Sequence, residues 1–305
     1  MHPTSAAAPG RRPTALCRSW LFLAGADEAT LAAAARCGAD VLIQDLEDFT
    51  PPPLRPRGRQ IARDVFAAWR AAGRVVAVRV NALDSPDGQV DIAAAMAARP
   101  DIVLLPKVAS PGQIAALDAA MSAAEAQHGL PLGSTEIVAN LETAEGLVRL
   151  GAIAGASRRI AACLLASEDL VADLGLERTR EGEELAYARR RFQLECVAAG
   201  VLAIDAPYTY SDAEGAAADA RRARTFGFRA KSLVRPEHAP EVNSALTPAP
   251  AAVAQARRLI AAFEGARAAG QDRAALDGHL VEVPSYRAAQ RLIERAEALG
   301  RWDGA

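Results

Sequence analysis

The sequence predicts an α/β fold, a closed (β/α)8 TIM barrel with a C-terminal helical extension. Short apolar runs alternate with Ala-rich amphipathic segments along most of the chain, the pattern of βα units around a parallel sheet. Eight such units fit within roughly 230 residues, the length of one barrel. No GxGxxG follows the first apolar run, so the main sign of an open dinucleotide-binding sheet is missing.

In order, the strands are expected at SWLFLAG (19–25), DVLIQDLED (40–48), VVAVRVNA (75–82), DIVLLPKV (101–108), EIVANLET (136–143), RIAACLLAS (159–167), VLAID (201–205) and FRAKSLV (228–234). Helical patterns follow each of them, for example at 27–37, 59–72, 111–128 and 184–199. Gly38, Gly73, Gly129 and Gly200 stand where helix stops belong. The barrel is thus expected over 15–247, after a loose Ala/Pro-rich leader at 1–14. Residues 248–305 should add two helices, about 249–269 and 284–299, joined by a polar segment ending in LDGHLVEVP. This extension has too few apolar residues for a core of its own and should pack on the barrel or on a neighbouring subunit.

With 51% hydrophobic residues and a formal charge of −2 over 305 residues, the composition is that of a globular chain. Interspersed charges argue against a nucleic-acid-binding face and against an acidic tail. Small molecules and further copies of the chain are the expected partners. The apolar run WLFLAGA is too short for a membrane span and Arg18 and Ser19 directly precede it, so a cytoplasmic location is expected. Cys17, Cys37, Cys163 and Cys196 are widely spaced in apolar surroundings, which points to reduced thiols rather than disulfides or a zinc site.

Chemistry concentrates at the carboxyl ends of the predicted strands, the face where such barrels build active sites. These ends carry Asp45, Glu47 and Asp48; Arg79 and Asn81; Lys107; Glu142; Glu168 and Asp169; Asp205; and Lys231. Any one of them can be read as a solvated residue or a helix cap. Together they would converge on one mouth, where like charges need a counter-ion. A hard divalent cation takes one or two carboxylates plus water and substrate oxygens, and Glu142 and Asp169, on adjacent predicted strands, are placed to meet at one. Arg79 can grip a substrate carboxylate with its planar fork. Lys107, set among acids, should stay charged, which argues against a Schiff base. Glu145, one turn beyond Glu142, reads as an ordinary helix-start acid.

The motifs RSWLFLAG, DLED (45–48), RVN (79–81), LPKV (105–108), NLETAEG (140–146), SEDL (167–170), AGVLAIDAPY with DAEG (199–215), AKSLVRP (230–236) and LDGHLVEVP (276–284) occur in this order between about Arg18 and residue 296. The set resembles the citrate lyase β-subunit-like branch of the HpcH/HpaI aldolase superfamily, which includes malyl-CoA and citramalyl-CoA lyases. The resemblance implies a trimeric or hexameric barrel enzyme with Mg2+, or Mn2+ in its place, on Glu142 and Asp169. It implies that Arg79, with Arg18, contacts the substrate, and that Asp45 and Lys107 support the metal and its waters. Glu282 corresponds to an acid/base delivered from a neighbouring subunit, where relatives carry Asp. Departures include Ala24 for Pro, Ala109 for Glu, and Ala230, Arg235 and His238 in the segment that helps bind CoA. Arg235 can still meet a CoA phosphate.

The expected function is a metal-dependent carbon–carbon lyase or aldolase acting on a carboxylate-bearing β-hydroxyacyl compound, a CoA thioester of the citryl, malyl or citramalyl type. Rival readings are a class II aldolase on free 4-hydroxy-2-oxo acids, an acyl-CoA thioesterase, and a non-catalytic subunit of a lyase complex.

Overall fold

Eight parallel strands close on themselves in chain order in the computed structural model, which describes residues 10–303. They are β1 (Ser19–Ala24), β2 (Val41–Asp45), β3 (Val75–Arg79), β4 (Ile102–Leu105), β5 (Glu136–Leu141), β6 (Ile160–Leu165), β7 (Leu202–Asp205) and β8 (Ala230–Leu233). Each lies inside its predicted run, because the runs included the loop residues that carry the chain off the strand.

Alternation along the strands separates two apolar layers. Trp20, Phe22, Val41, Ile43, Val75, Ala77, Val138 and Ala162 form one cluster inside the barrel. Their neighbours Leu21, Leu23, Leu42, Val76, Val78 and Ala139 face the helical sheath, where Phe66, Trp69, Met96 and Phe192 complete a larger core. The helices end as the sequence anticipates: Gly38, Gly73, Gly129 and Gly200 all have positive φ. Ser110 opens helix Pro111–Gln127 with a capping box to Gln113.

The chain divides after Leu246. The second unit contains helices Pro250–Ala268 and Val283–Asp303, close to their predicted spans. The segment between them, read as merely polar, is an antiparallel hairpin of β9 (Ala274–Leu276) and β10 (His279–Val281). Asp277 and Gly278 form its turn with φ of 51° and 77°, both positive as a type I′ hairpin requires. The Asp-Gly pair was the available signal.

The first nine residues of the expected leader lie outside the described residues. Residues 10–14 are not loose. Arg11 pairs with Glu136 at 2.6 Å and Arg12 with Asp40 at 3.1 Å, both at the amino ends of strands. Among the described residues no helix is long and apolar enough to cross a membrane. All four cysteines are free thiols.

Candidate active site at the carboxyl ends of the strands

Glu142 directly follows β5, and Thr143 then caps the next helix by accepting the Gly146 N–H at 3.1 Å. The carboxylate is thereby fixed at the strand end. It is fully buried, and neither oxygen has a hydrogen-bond partner among the described residues. Burial raises its pKa to about 7; Asp169 and Glu47 push the same way, while Arg79 and Lys107 oppose them. Such a buried acid lacks only a positive ligand.

Arg79, the last residue of β3, is buried against the rings of Phe22 and Phe49, which meet edge to face and lie 4.9 and 5.8 Å from its guanidinium carbon. Asp45 holds its side edge, accepting from Nε at 2.7 Å and from Nη2 at 2.5 Å; Glu47 meets Nη1 at 3.1 Å. Burial opposes the charge, but Asp45 outweighs it and keeps the guanidinium ionised. The expected grip on a substrate therefore needs correction: Asp45 takes the Nε–Nη2 edge and Nη1 already meets Glu47, so the second N–H groups on Nη1 and Nη2 are the route to a ligand.

Asp45 is corrected with it. Both of its oxygens are engaged by Arg79, and the N–H groups of Glu47 and Phe49 also donate to them at 2.9 and 3.0 Å. It orients Arg79 and shapes the 46–50 loop rather than supporting a metal or its waters. Lys107 follows β4 in left-handed backbone, φ 52°, and is half exposed. Its Nζ lies 2.5 Å from Glu47 and 3.6 Å from Asp48. Burial opposes its charge, yet Glu47 raises its pKa above the ordinary lysine value. The Schiff-base reading loses its physical basis.

Within SEDL the two acids diverge. Both line the cavity, but Glu168 is exposed and paired with Arg178 at 3.1 Å, whereas the charge of Asp169 is felt by Glu142. The cavity has a volume of about 290 Å³, and its wall includes Phe22, Arg79, Asn140, Leu164, Asp169 and Ser232. The loop of Lys107 and the helix after Glu142 are tied together. The Val108 N–H donates to the Asn140 carbonyl at 3.0 Å, and a Cβ on Gly146 would lie 2.4 Å from the Val108 carbonyl oxygen.

Several predicted residues lie elsewhere. Arg18 precedes β1 at the amino end of the barrel, where Asp40 accepts from its Nε at 2.9 Å and its Nη2 at 3.0 Å. The position removes it from the mouth. Asp205 and Lys231 were grouped with the mouth, but their neighbours Ile204 and Ala230 point inward, so they face the sheath. Lys231 Nζ lies 2.7 Å from Asp205 and 2.5 Å from Asp219, and Arg189 holds Asp205 at 2.7 and 2.9 Å. Asn81 is likewise taken up, donating to Leu46 O and Asp91. Arg235 follows β8 and pairs weakly with Glu237 at 3.5 Å. Glu282 belongs to the second unit, paired with Arg273 at 3.2 Å.

Sequence reasoning passed over Asn140. It shares the inward side of β5 with Glu142, two residues away, and that parity was the signal. Among the described residues no three His, Cys, Asp or Glu side chains gather into a metal-holding group. Glu142, with two unbonded oxygens, and the nearby Asp169 instead suit a hard cation that keeps most of its water.

A family model described as HpcH/HpaI aldolase/citrate lyase matches residues 18–236. The chain is 32% identical over 282 residues to the citrate lyase subunit beta of Leuconostoc mesenteroides subsp. cremoris, covering 92% of this chain and 93% of that one. It is 31% identical over 307 residues to the L-malyl-CoA/beta-methylmalyl-CoA lyase of Rhodobacter capsulatus, covering 93% and 96%. Among solved structures, protein CitE from Mycobacterium tuberculosis, in complex with magnesium, acetoacetate and coenzyme A, superposes with a TM-score of 0.74 at 29% identity. That match covers 92% of this chain and 98% of the other.

Proposed function

Because the chain belongs to the HpcH/HpaI aldolase/citrate lyase family, we propose that it is a magnesium-dependent carbon–carbon lyase. Its substrate is a carboxylate-bearing β-hydroxyacyl CoA thioester of the citryl, malyl or citramalyl type. The observation that carries this reading is Glu142: a buried carboxylate with two unbonded oxygens, close enough to Asp169 and Arg79 to feel both charges.

Glu142 and Asp169 hold the ion. When bound, magnesium supplies Lewis-acid polarisation of substrate oxygens. Arg79 offers its Nη ends to the substrate carboxylate, while Asp45 fixes the plane of the guanidinium and Phe22 and Phe49 exclude water around it. Lys107 neutralises Glu47, so that the acid loop does not repel an anionic substrate. In the cleavage direction a base takes the proton of the β-hydroxyl, whose carbon becomes a carbonyl as the carbon–carbon bond breaks. The electron pair passes to the thioester half as an enolate, which is then protonated on carbon. Glu282 of a neighbouring copy is the proposed acid/base, within a homotrimer, and Arg235 the proposed contact to a CoA phosphate. Cytoplasmic residence belongs to the same reading.

The test is a substrate panel with magnesium: citryl-CoA, malyl-CoA, citramalyl-CoA and free 4-hydroxy-2-oxo acids, following acyl-CoA, oxo acid and free CoA together. Acyl-CoA and oxo acid should form in equal amounts from one thioester. Turnover of the free acids alone would move the assignment to a class II aldolase, and free CoA without oxo acid would make it a thioesterase.

A further inference from the structure

Asn140 has no part in the reaction just outlined, yet it stands in the cavity where that reaction would occur. It lies two residues before Glu142 and two after Val138, on the inward side of β5. It is fully buried and lines the cavity with Arg79 and Asp169. Neither its Oδ1 nor its Nδ2 has a hydrogen-bond partner among the described residues. Phe22 and Leu164, on the same cavity wall, are apolar. The hydroxyl of Ser232 is already used, donating to the Asp205 carbonyl at 2.9 Å. A buried amide without partners opposes folding, and leucine, of similar shape, would suit this wall better. The amide therefore points to a ligand.

We propose that Asn140 is a specificity-determining residue whose amide hydrogen-bonds a hydroxyl on the side chain of the bound oxo-acid fragment. An amide presents a donor and an acceptor side by side. A hydroxyl answers both. A carboxylate answers only Nδ2 and sets its charge against Oδ1, while hydrogen or methyl answers neither. The site then favours a 2-oxo acid ending in a hydroxymethyl group, so that within the proposed carbon–carbon cleavage the preferred acyl group carries hydroxymethyl where the malyl, citramalyl and citryl groups carry hydrogen, methyl and carboxymethyl. This inference rests on the reading of the cavity as the oxo-acid site.

The experiment is calorimetric binding to the full chain in saturating MgCl2, with glyoxylate, pyruvate, hydroxypyruvate and oxaloacetate as probes. Wild type, Asn140→Leu and Asn140→Ala are compared, alongside the melting temperature of each protein without ligand. In wild type, hydroxypyruvate should bind roughly tenfold tighter than pyruvate, the worth of a buried polar group left unpaired. Both variants should lose that preference, with pyruvate affinity held within about threefold. Asn140→Leu should melt no lower than wild type, whereas an asparagine with a purely structural role would melt lower when replaced. The same ranking of probes in wild type and both variants would overturn the proposal. So would tightest wild-type binding of oxaloacetate, which would replace the hydroxyl with a carboxylate. If magnesium binds but none of the four probes does, the oxo-acid reading of the cavity fails and takes this inference with it.

Discussion

Two clusters of buried charge are built on the same barrel from the same kinds of residue, and they behave in opposite ways. At the mouth, Glu142 is buried with both oxygens unbonded and its pKa raised to about 7. Behind β7 and β8, Asp205, Arg189 and Lys231 are buried and Asp219 nearly so, but this cluster is saturated. Burial opposes the charge of Asp219, yet Lys231 and Arg189 hold its carboxyl well below the usual carboxylate range. Burial is common to both, so it cannot mark function. What separates them is whether the protein itself supplies the counter-charge. The sealed cluster is finished, and the open one is built for something that arrives later.

Substitution should separate the two most strongly. Glu142→Gln should lower carbon–carbon cleavage by roughly a thousandfold or more, because Lewis-acid stabilisation is worth several kcal/mol. The metal-free variant should be no less stable than wild type, as read by urea unfolding. A loss of stability without loss of activity would erase the distinction. Asp205→Ala should do the reverse. Leaving Arg189 and Lys231 buried without their shared partner should cost about 3–5 kcal/mol in the same urea titration. Magnesium affinity, measured on the folded variant, should be unchanged.

A smaller effect is expected from pH. In metal-free protein the folded pKa of Glu142 lies above its ordinary value of 4.5. The folded chain therefore binds more protons than the unfolded one between about 4.5 and 7. The contribution of Glu142 to stability is full below that window and is lost as pH rises through about 7, on the order of 3 kcal/mol. Asp219 runs the other way: its depressed pKa stabilises the fold above 3.8 and that support is lost as pH falls through its folded value. Unfolding free energies of metal-free wild type and Glu142→Gln from pH 5 to 8 should differ most at the alkaline end. Parallel curves would show that Glu142 does not carry the raised pKa.

The barrel was legible in the sequence because apolar alternation and glycine stops are local signals. The mouth was legible in part, because Glu142, Arg79 and Asp169 stand where strands end. Their partnerships were not. Arg79 looked free to grip a ligand, but the acid that occupies its side edge comes from the neighbouring strand. Asp205 and Lys231 looked like mouth residues until the parity of Ile204 and Ala230 turned them outward, toward helix residues that no strand motif includes. Arg18 shares its motif with the mouth-facing part of β1 but sits at the opposite end of that strand. Asn140 went unremarked because sequence does not record an unmet hydrogen bond.

The tie between Val108, Asn140 and Gly146 joins two successive strand ends into one rigid piece. The backbone segments that carry Lys107 and Glu142 thus ride on a common mount, held by a hydrogen bond and a contact that admits no side chain at 146. Their spacing is set during folding and need not be recovered at each turnover. Ions and substrates exchange against a frame whose tolerances are already fixed.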